Sequence, residues 1–415
     1  MYLKKFKALP FLILILVAAT LILAACGDNT ATSAPATTAP ATSAPAATAT
    51  ASPTTVVATT ASAPTTVPTI TVVPTGAPTT APATTGGVTT APATNTPSSS
   101  PANVSGNPID VSKNQYVDDR TNPLEILRSF YNAINRKEYV RAYSYWESGA
   151  SKLAPYADFE KGYADTAAVE LYNAAVQGGA AAGTTYYAVP VSLKSTKTDG
   201  SSQVFGGCYV LRQPNPANFG APPFTPMSIY QASVQQVKSG GDTVAIMNQS
   251  CKDLGASTEN SFTIPPVPHT DAAVAASQFL DDRSTPEQEI RSFYNALNRK
   301  EYVRAYSYWD SNVKEVGPYQ QFAEGYKNTE AVTLITGKAQ SDAGAGQLNY
   351  RLPVAITAKQ TDGSTKKYAG CYTLKLSQPA LFGQPPFIPM HIVTANIKAV
   401  AANTDPASQP GQVCS

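Results

Sequence analysis

Between Leu124 and Ile134 the apolar residues Leu124, Leu127, Phe130, Tyr131 and Ile134 recur three and four positions apart, which places them on one face of a helix. Tyr139, Ala142, Tyr143 and Trp146 repeat that spacing, so a second helix is predicted from Glu138, with Asn135-Arg136-Lys137 as the link. A third, shorter helix over 156–164 gathers Tyr156, Phe159 and Tyr163. The period then drops to two: Tyr187, Val189, Val191 and Leu193 alternate with Tyr186, Ala188, Pro190 and Ser192. Asp199-Gly200 supplies a hairpin turn, and Phe205, Gly207, Tyr209 and Leu211 form the apolar face of the returning strand. A last long strand begins near Ser228. Helices followed by antiparallel strands predict an α+β domain with its helices packed on one sheet face.

The pattern occurs twice. Residues 128–146 and 291–309 are identical at 18 of 19 positions, and the offset of 163 holds without a gap to the end of the chain. A repeat of this length is a domain duplication rather than a solenoid period. The sequence therefore divides into a leader (1–25), a tether (26–121), copy one (122–252), a proline-bearing linker (253–284) and copy two (285–415).

The leader has a positive start at Lys4, Lys5 and Lys7 and an apolar run from Leu9 to Leu23, too short to span a bilayer of about 20 residues. It ends in Leu23-Ala24-Ala25-Cys26-Gly27, which resembles a bacterial lipobox. That resemblance implies acylation of Cys26 with palmitate-type chains, cleavage before it, and a protein held on the extracytoplasmic face of the cell membrane. From Asn29 to Ile109 there is no Asp, Glu, Lys or Arg. Ala, Thr, Pro and Ser dominate, with no apolar period, so this stretch cannot offset its ordering entropy and reads as a disordered tether. As a flexible coil it would average about 50 Å end to end. Net charge is +2 over 415 residues, and the three leader lysines account for it. No basic stripe suggests a nucleic-acid partner.

With Cys26 assigned to lipid, four cysteines remain and allow three pairings. The repeat favours Cys208–Cys251 and Cys371–Cys414, one bridge within each copy. Cys208 alternates with the inward Gly207 and Tyr209, so it should face outward, where a tail beyond the last strand can reach it. Bridges fit an extracytoplasmic location.

The run FYNAINRKEYVRAYSYW, then FEKGYADT (FAEGYKNT in copy two), then strands, resembles the nuclear transport factor 2-like superfamily, to which ketosteroid isomerase and polyketide cyclases belong. The resemblance implies two tandem cones, each a curved antiparallel sheet wrapped around N-terminal helices. Membership does not decide function.

Isomerase or dehydratase chemistry would need an inward carboxylate or His–Asp pair. The acids shared by both copies have structural explanations: Glu138 and Glu301 open a helix, Asp199, Asp362 and Asp242 sit in turns, and Glu147 and Asp310 end a helix. Asp158 and Glu160 become Gln321 and Ala323 in copy two. His391 shares an alternating face with Val393, Ala395 and Ile397, so it could look into the second cone, whereas His269 lies in the linker. The inward faces carry aromatics instead: Tyr143, Trp146, Tyr163, Tyr187 and Tyr209, with Tyr306, Trp309, Tyr326, Tyr350 and Tyr372 in copy two. They either line a site for an amphipathic ligand or fill the core. The segment from Phe219 to Met227, echoed from Phe382 to Met390, is either an apolar lip or a packed loop. The expectation is a lipoprotein displaying two non-catalytic domains that bind an envelope protein or a small apolar ligand, without cofactor or metal. The alternatives are an isomerase or dehydratase acting in one copy, or a cell-wall spacer.

Overall fold

A computed structural model describes residues 108–415 except 151, 257–260, 268–269, 271–273, 313, 402–413 and 415. The leader, Cys26, the tether to 107 and His269 lie outside the described residues.

Helix α1 (Pro123–Asn135) starts where Asn122 accepts hydrogen bonds from the Leu124 and Glu125 amides, with proline at the first position. Its buried face holds Ile126, Leu127, Phe130, Tyr131 and Ile134. The helix closes with Glu138 N donating to Ala133 O and Lys137 N to Ile134 O. Lys137 takes φ +61°, a left-handed position that usually falls to glycine, and its ammonium is tied to Thr166 O. Helix α2 is shorter than the periodicity predicts (Tyr139–Tyr143). The chain leaves it because strand pairing takes over: Ile229 N donates to Tyr145 O and Glu147 N to Ile229 O, so Trp146 lies in a parallel bridge. Helix α3 spans Tyr156–Gly162.

Five strands follow: β1 (Thr166–Asn173), β2 (Gln177–Ala181), β3 (Thr184–Lys197), β4 (Ser202–Pro214) and β5 (Ser228–Gln236). They pair antiparallel in the order β1-β3-β4-β5, with β2 also on β3. Val189, Val191, Tyr209 and Leu211 face the helices and build the core, as the alternation predicts. A Cβ on Gly207 would stand 2.2 Å from Ser233 O, so only glycine lets β5 cross β4 this closely. Strands β1 and β2 had no prediction. In β1 a register shift between Thr166 and Ala168 breaks the alternation, and β2 has no buried residue.

Where sequence reading has a turn at Gly240-Gly241-Asp242, Asp242 caps a helix, α4 (Thr243–Asp253), by accepting from Val244 N and Ala245 N. It lies against the outer sheet face, where Cys251 joins Cys208 beside Ala188 and Val210. Copy two repeats the plan with α5 (Pro286–Asn298), α6 (Tyr302–Tyr306), α7 (Tyr319–Tyr326), β6 (Thr329–Thr336), β7 (Gln340–Gly344), β8 (Gln347–Gln360), β9 (Thr365–Ser377) and β10 (His391–Val400). Its bridge joins Cys371 to Cys414. Two antiparallel sheets with their helices make the fold α+β.

Residues 108–121, which composition assigns to the tether, pack against copy one. Val111 and Val117 are buried, and Asn132 Nδ2 donates to Ser112 O and Gln115 O. The clamp is Arg141, fully buried on α2. Its Nε donates to Glu138 Oε2 at 2.7 Å, Nη2 to Asn132 Oδ1 at 2.8 Å, and Nη1 to Val117 O at 2.5 Å. Glu138 is thus more than a helix-opening charge: it holds Arg141 and Arg136 from a buried position. Arg304 repeats this with Glu301, Asn295 and Leu280 O.

The clamped segments meet. Asp119 and Asp282 face each other in an antiparallel bridge, with Arg120 N donating to Asp281 O and Arg283 N to Asp118 O, both 2.7 Å. Asp118 N donates to Ser284 Oγ and Asp281 N to Thr121 Oγ1, so matching residues exchange matching bonds. The segment from Phe382 to Met390 adds a second contact, with Phe387 packed on Val140 and Tyr156 of copy one.

Replacing Arg141 or Arg304 by Ala leaves Glu138 or Glu301 with only the partly exposed Arg136 or Arg299 and takes the guanidinium donor from the Val117 or Leu280 carbonyl. It should cost about 3–5 kcal/mol in urea unfolding, against under about 0.5 for exposed Lys359→Ala. Removing the Cys208–Cys251 bridge, whose ends are 43 residues apart, should cost about 4 kcal/mol in the chain-entropy treatment.

Candidate functional site

The ten predicted aromatics all belong to or pack against the two cores. Phe130 is the hub of the first: Trp146, Phe159, Tyr163 and Tyr209 lie 6.3 to 6.5 Å from it, and Tyr131 at 4.8 Å. Phe293 repeats this with Trp309, Phe322 and Tyr372. Most of these pairs are edge-on, the arrangement that ring quadrupoles favour.

The polar tips largely satisfy one another. The hydroxyls of Tyr131 and Tyr209 are 2.6 Å apart, and those of Tyr294 and Tyr372 2.7 Å. Tyr143 donates to Ala154 O and Tyr306 to Gly317 O. Burial pushes the Tyr209 hydroxyl up to about 12 and holds Tyr131, Tyr163, Tyr294 and Tyr372 above the ordinary tyrosine value. These phenols stay neutral at physiological pH and are poor proton acceptors. The indole N–H groups of Trp146 and Trp309 and the Tyr368 hydroxyl are buried without a partner. The space beside Tyr294, Tyr326 and Tyr368 in the second copy is about 10 Å³, room for one water.

His391 does not look into the second cone. A bulge between Ile392 and Thr394 shifts the alternation, so Ile392, Ala395 and Ile397 share the inward side and His391 lies off it. Its Nδ1 is 2.9 Å from Pro389 O and its Nε2 is 3.5 Å from Asp310 Oδ2. Burial lowers its pKa, against the opposing pull of Pro389 O and Asp310. In copy one the same place holds the Glu147–Arg212 ion pair beside Ser228. Asp158 is exposed and Glu160 half-buried on α3, where Glu160 interacts with the Tyr156 hydroxyl. Among the described residues no three His, Cys, Asp or Glu side chains stand together as metal ligands.

A roomier space lies elsewhere. An open groove of about 510 Å³ in copy one is lined by Leu124 of α1, residues 173–176 between β1 and β2, Val244, Met247 and Asn248 of α4, and Phe262 and Ile264. The linker returns to make one wall: Phe262 N donates to Val176 O at 2.7 Å, and the Phe262 ring stacks edge-on at 5.3 Å from Tyr187. Copy two has Glu287 in place of Leu124, and its Oε1 accepts from Ala339 N. Sequence reading missed this groove because its walls come from four segments without a shared period. The one available signal was Phe262 and Ile264 between the polar run at 257–261 and Pro265-Pro266 of the linker.

No family profile matches the chain, and no curated protein matches it. Among solved structures it is similar to a candidate scytalone dehydratase from Novosphingobium aromaticivorans DSM 12444, at 9% identity and a TM-score of 0.22, over 28% of this chain and 81% of that one. At that score the likeness carries no argument about activity.

If the tyrosine hydroxyls serve the core, Tyr131→Phe should cost about 1–3 kcal/mol by leaving Tyr209 unpaired in a dry site. The Tyr131→Phe/Tyr209→Phe double variant should cost clearly less than the two singles summed, read by urea unfolding.

Proposed function

We propose that the chain is an extracytoplasmic lipoprotein, anchored through Cys26, that displays two nuclear transport factor 2-like domains for binding rather than catalysis. We place the binding face on the open groove of copy one. The observation that carries this reading is the contrast in volume: about 10 Å³ beside Tyr326 in the second cone against about 510 Å³ in the groove of copy one. The latter falls within the few hundred to a thousand Å³ of small-molecule sites. Its lining mixes aliphatic side chains with Asn173, Asn248 and exposed backbone in about equal parts, which suits an amphipathic ligand or side chain. In this reading the ten inward aromatics fill the cores and stiffen the platform. His391 and Asp310, lying off the inward face, lend no support to an isomerase in copy two.

Two experiments test it. Metabolic labelling with palmitate should mark the wild-type chain and not Cys26→Ala; label on the variant overturns the anchor. For the groove, an apolar fluorescent probe, anilinonaphthalene sulfonate, should bind residues 108–415. Leu124→Glu, which imports the residue of copy two, combined with Phe262→Ser should weaken that binding by about tenfold or more with the fold intact by circular dichroism. Unchanged binding would remove the groove from the reading.

A further inference from the structure

The seam between the copies holds acids that its own bonding does not use. Asp119 and Asp282 are opposed across the bridge and almost wholly buried. Each Oδ1 accepts one amide, from Thr121 and Ser284. Asp119 Oδ2 has no partner. Glu289 on α5 is fully buried with neither carboxyl oxygen bonded, and copy one carries Ile126 at the same place. An apolar residue therefore suits this position, and the glutamate is a departure from the repeat.

We propose that Asp119, Asp282 and Glu289 form a pH-sensitive latch between the two copies, closed while these carboxyls hold protons and loosened when they ionise. Two opposed aspartates in a dry seam cannot both carry charge cheaply, and an unbonded buried carboxylate is costlier still. The surrounding charges do not compensate. Asp118 and Asp281 face the cluster and accept from the Tyr145 and Tyr308 hydroxyls. The seam guanidiniums, Arg120 and Arg283, lie 3.6 and 3.8 Å from those two aspartates. Glu125 of α1 adds negative charge but is held by Arg128, and His391 lies near Arg283. Burial raises all three acids; hydrogen bonds from Thr121 and Ser284 offset only part of it at Asp119 and Asp282, the Asp282 charge adds to the Asp119 shift, and Arg283 only partly relieves Glu289.

The sign follows from the direction. These acids bind protons more tightly in the closed seam than in an opened one, so closure is favoured most below the ordinary carboxylate range near 4. It weakens as pH rises toward the closed-state values, about 7 for Asp282. Each such group weakens closure by about tenfold per pH unit across that window. The device needs neither the lipid anchor nor the groove.

Hydrogen exchange on the full chain at pH 5 and pH 8, corrected for intrinsic rates, reads it directly. The Arg120 and Arg283 amides carry the seam bonds, and their protection should fall by about a hundredfold or more at pH 8, while amides of the β3–β4 pair hold theirs. In Asp282→Asn/Glu289→Gln the fall should shrink by about tenfold or more, with only the Asp119 share left. Glu289→Ile, which restores the residue of copy one, should reduce it even if the double variant does not fold. Equal seam protection at the two pH values in the wild type, or a full fall retained in Glu289→Ile, overturns the latch.

Discussion

The buried Glu138–Arg141 pair, with its copy Glu301–Arg304, is the constraint from which the rest of the arrangement follows. A guanidinium without solvent access must place its donors on fixed acceptors. Arg141 spends them on Glu138, Asn132 and the Val117 carbonyl, and its plane lies 4.7 Å from the Tyr116 ring. Those contacts pull an N-terminal segment with little apolar content against α1 and α2. Once Val117 is fixed, Asp118, Asp119 and Arg120 have one place to go, and the same happens at Leu280 to Arg283. Two identical clamps thus generate two identical edges, and antiparallel pairing makes them self-complementary.

The copies are consequently alike where the clamp dictates and unlike where it does not. Both share the tyrosine pairs, the aromatic hubs and the bridges. They diverge at Ile126 and Glu289, at Leu124 and Glu287, and at Ser228 and His391. Two of those pairs fall on the seam and the groove, the two places where the structure offers chemistry beyond core packing. Duplication supplies the scaffold, and single substitutions give each copy its own surface.

Helix α1, the β3–β4 hairpin and the outward Cys208 were legible because their periodicity is uninterrupted and each face has one neighbour. The bridges were legible through the offset alone. Misreadings have definite causes. The second helix stops early because Tyr145 and Trp146 are drawn into pairing with Ile229, a contact about 83 residues away that no local window contains. Simple alternation puts His391 on the face of Ala395 and Ile397, and one bulge takes it off that face, where Pro389 O satisfies it. Asp118 to Arg120 look like solvated linker, and it takes Ser129, Ser144 and Tyr145 of copy one together with the facing segment of copy two to bury them. Of the candidate site, the aromatics were found but not their mutual satisfaction. The groove was not found, since the linker that walls it has no pattern of its own.

The clamped segments join the two copies into one cooperative structure. Differential scanning calorimetry of residues 108–415 near pH 5, under oxidising conditions, tests it most directly. A single transition is expected, with its calorimetric enthalpy equal to its van't Hoff enthalpy. Two resolved transitions, or a calorimetric enthalpy about twice the van't Hoff value, would show two domains unfolding independently and would contradict it.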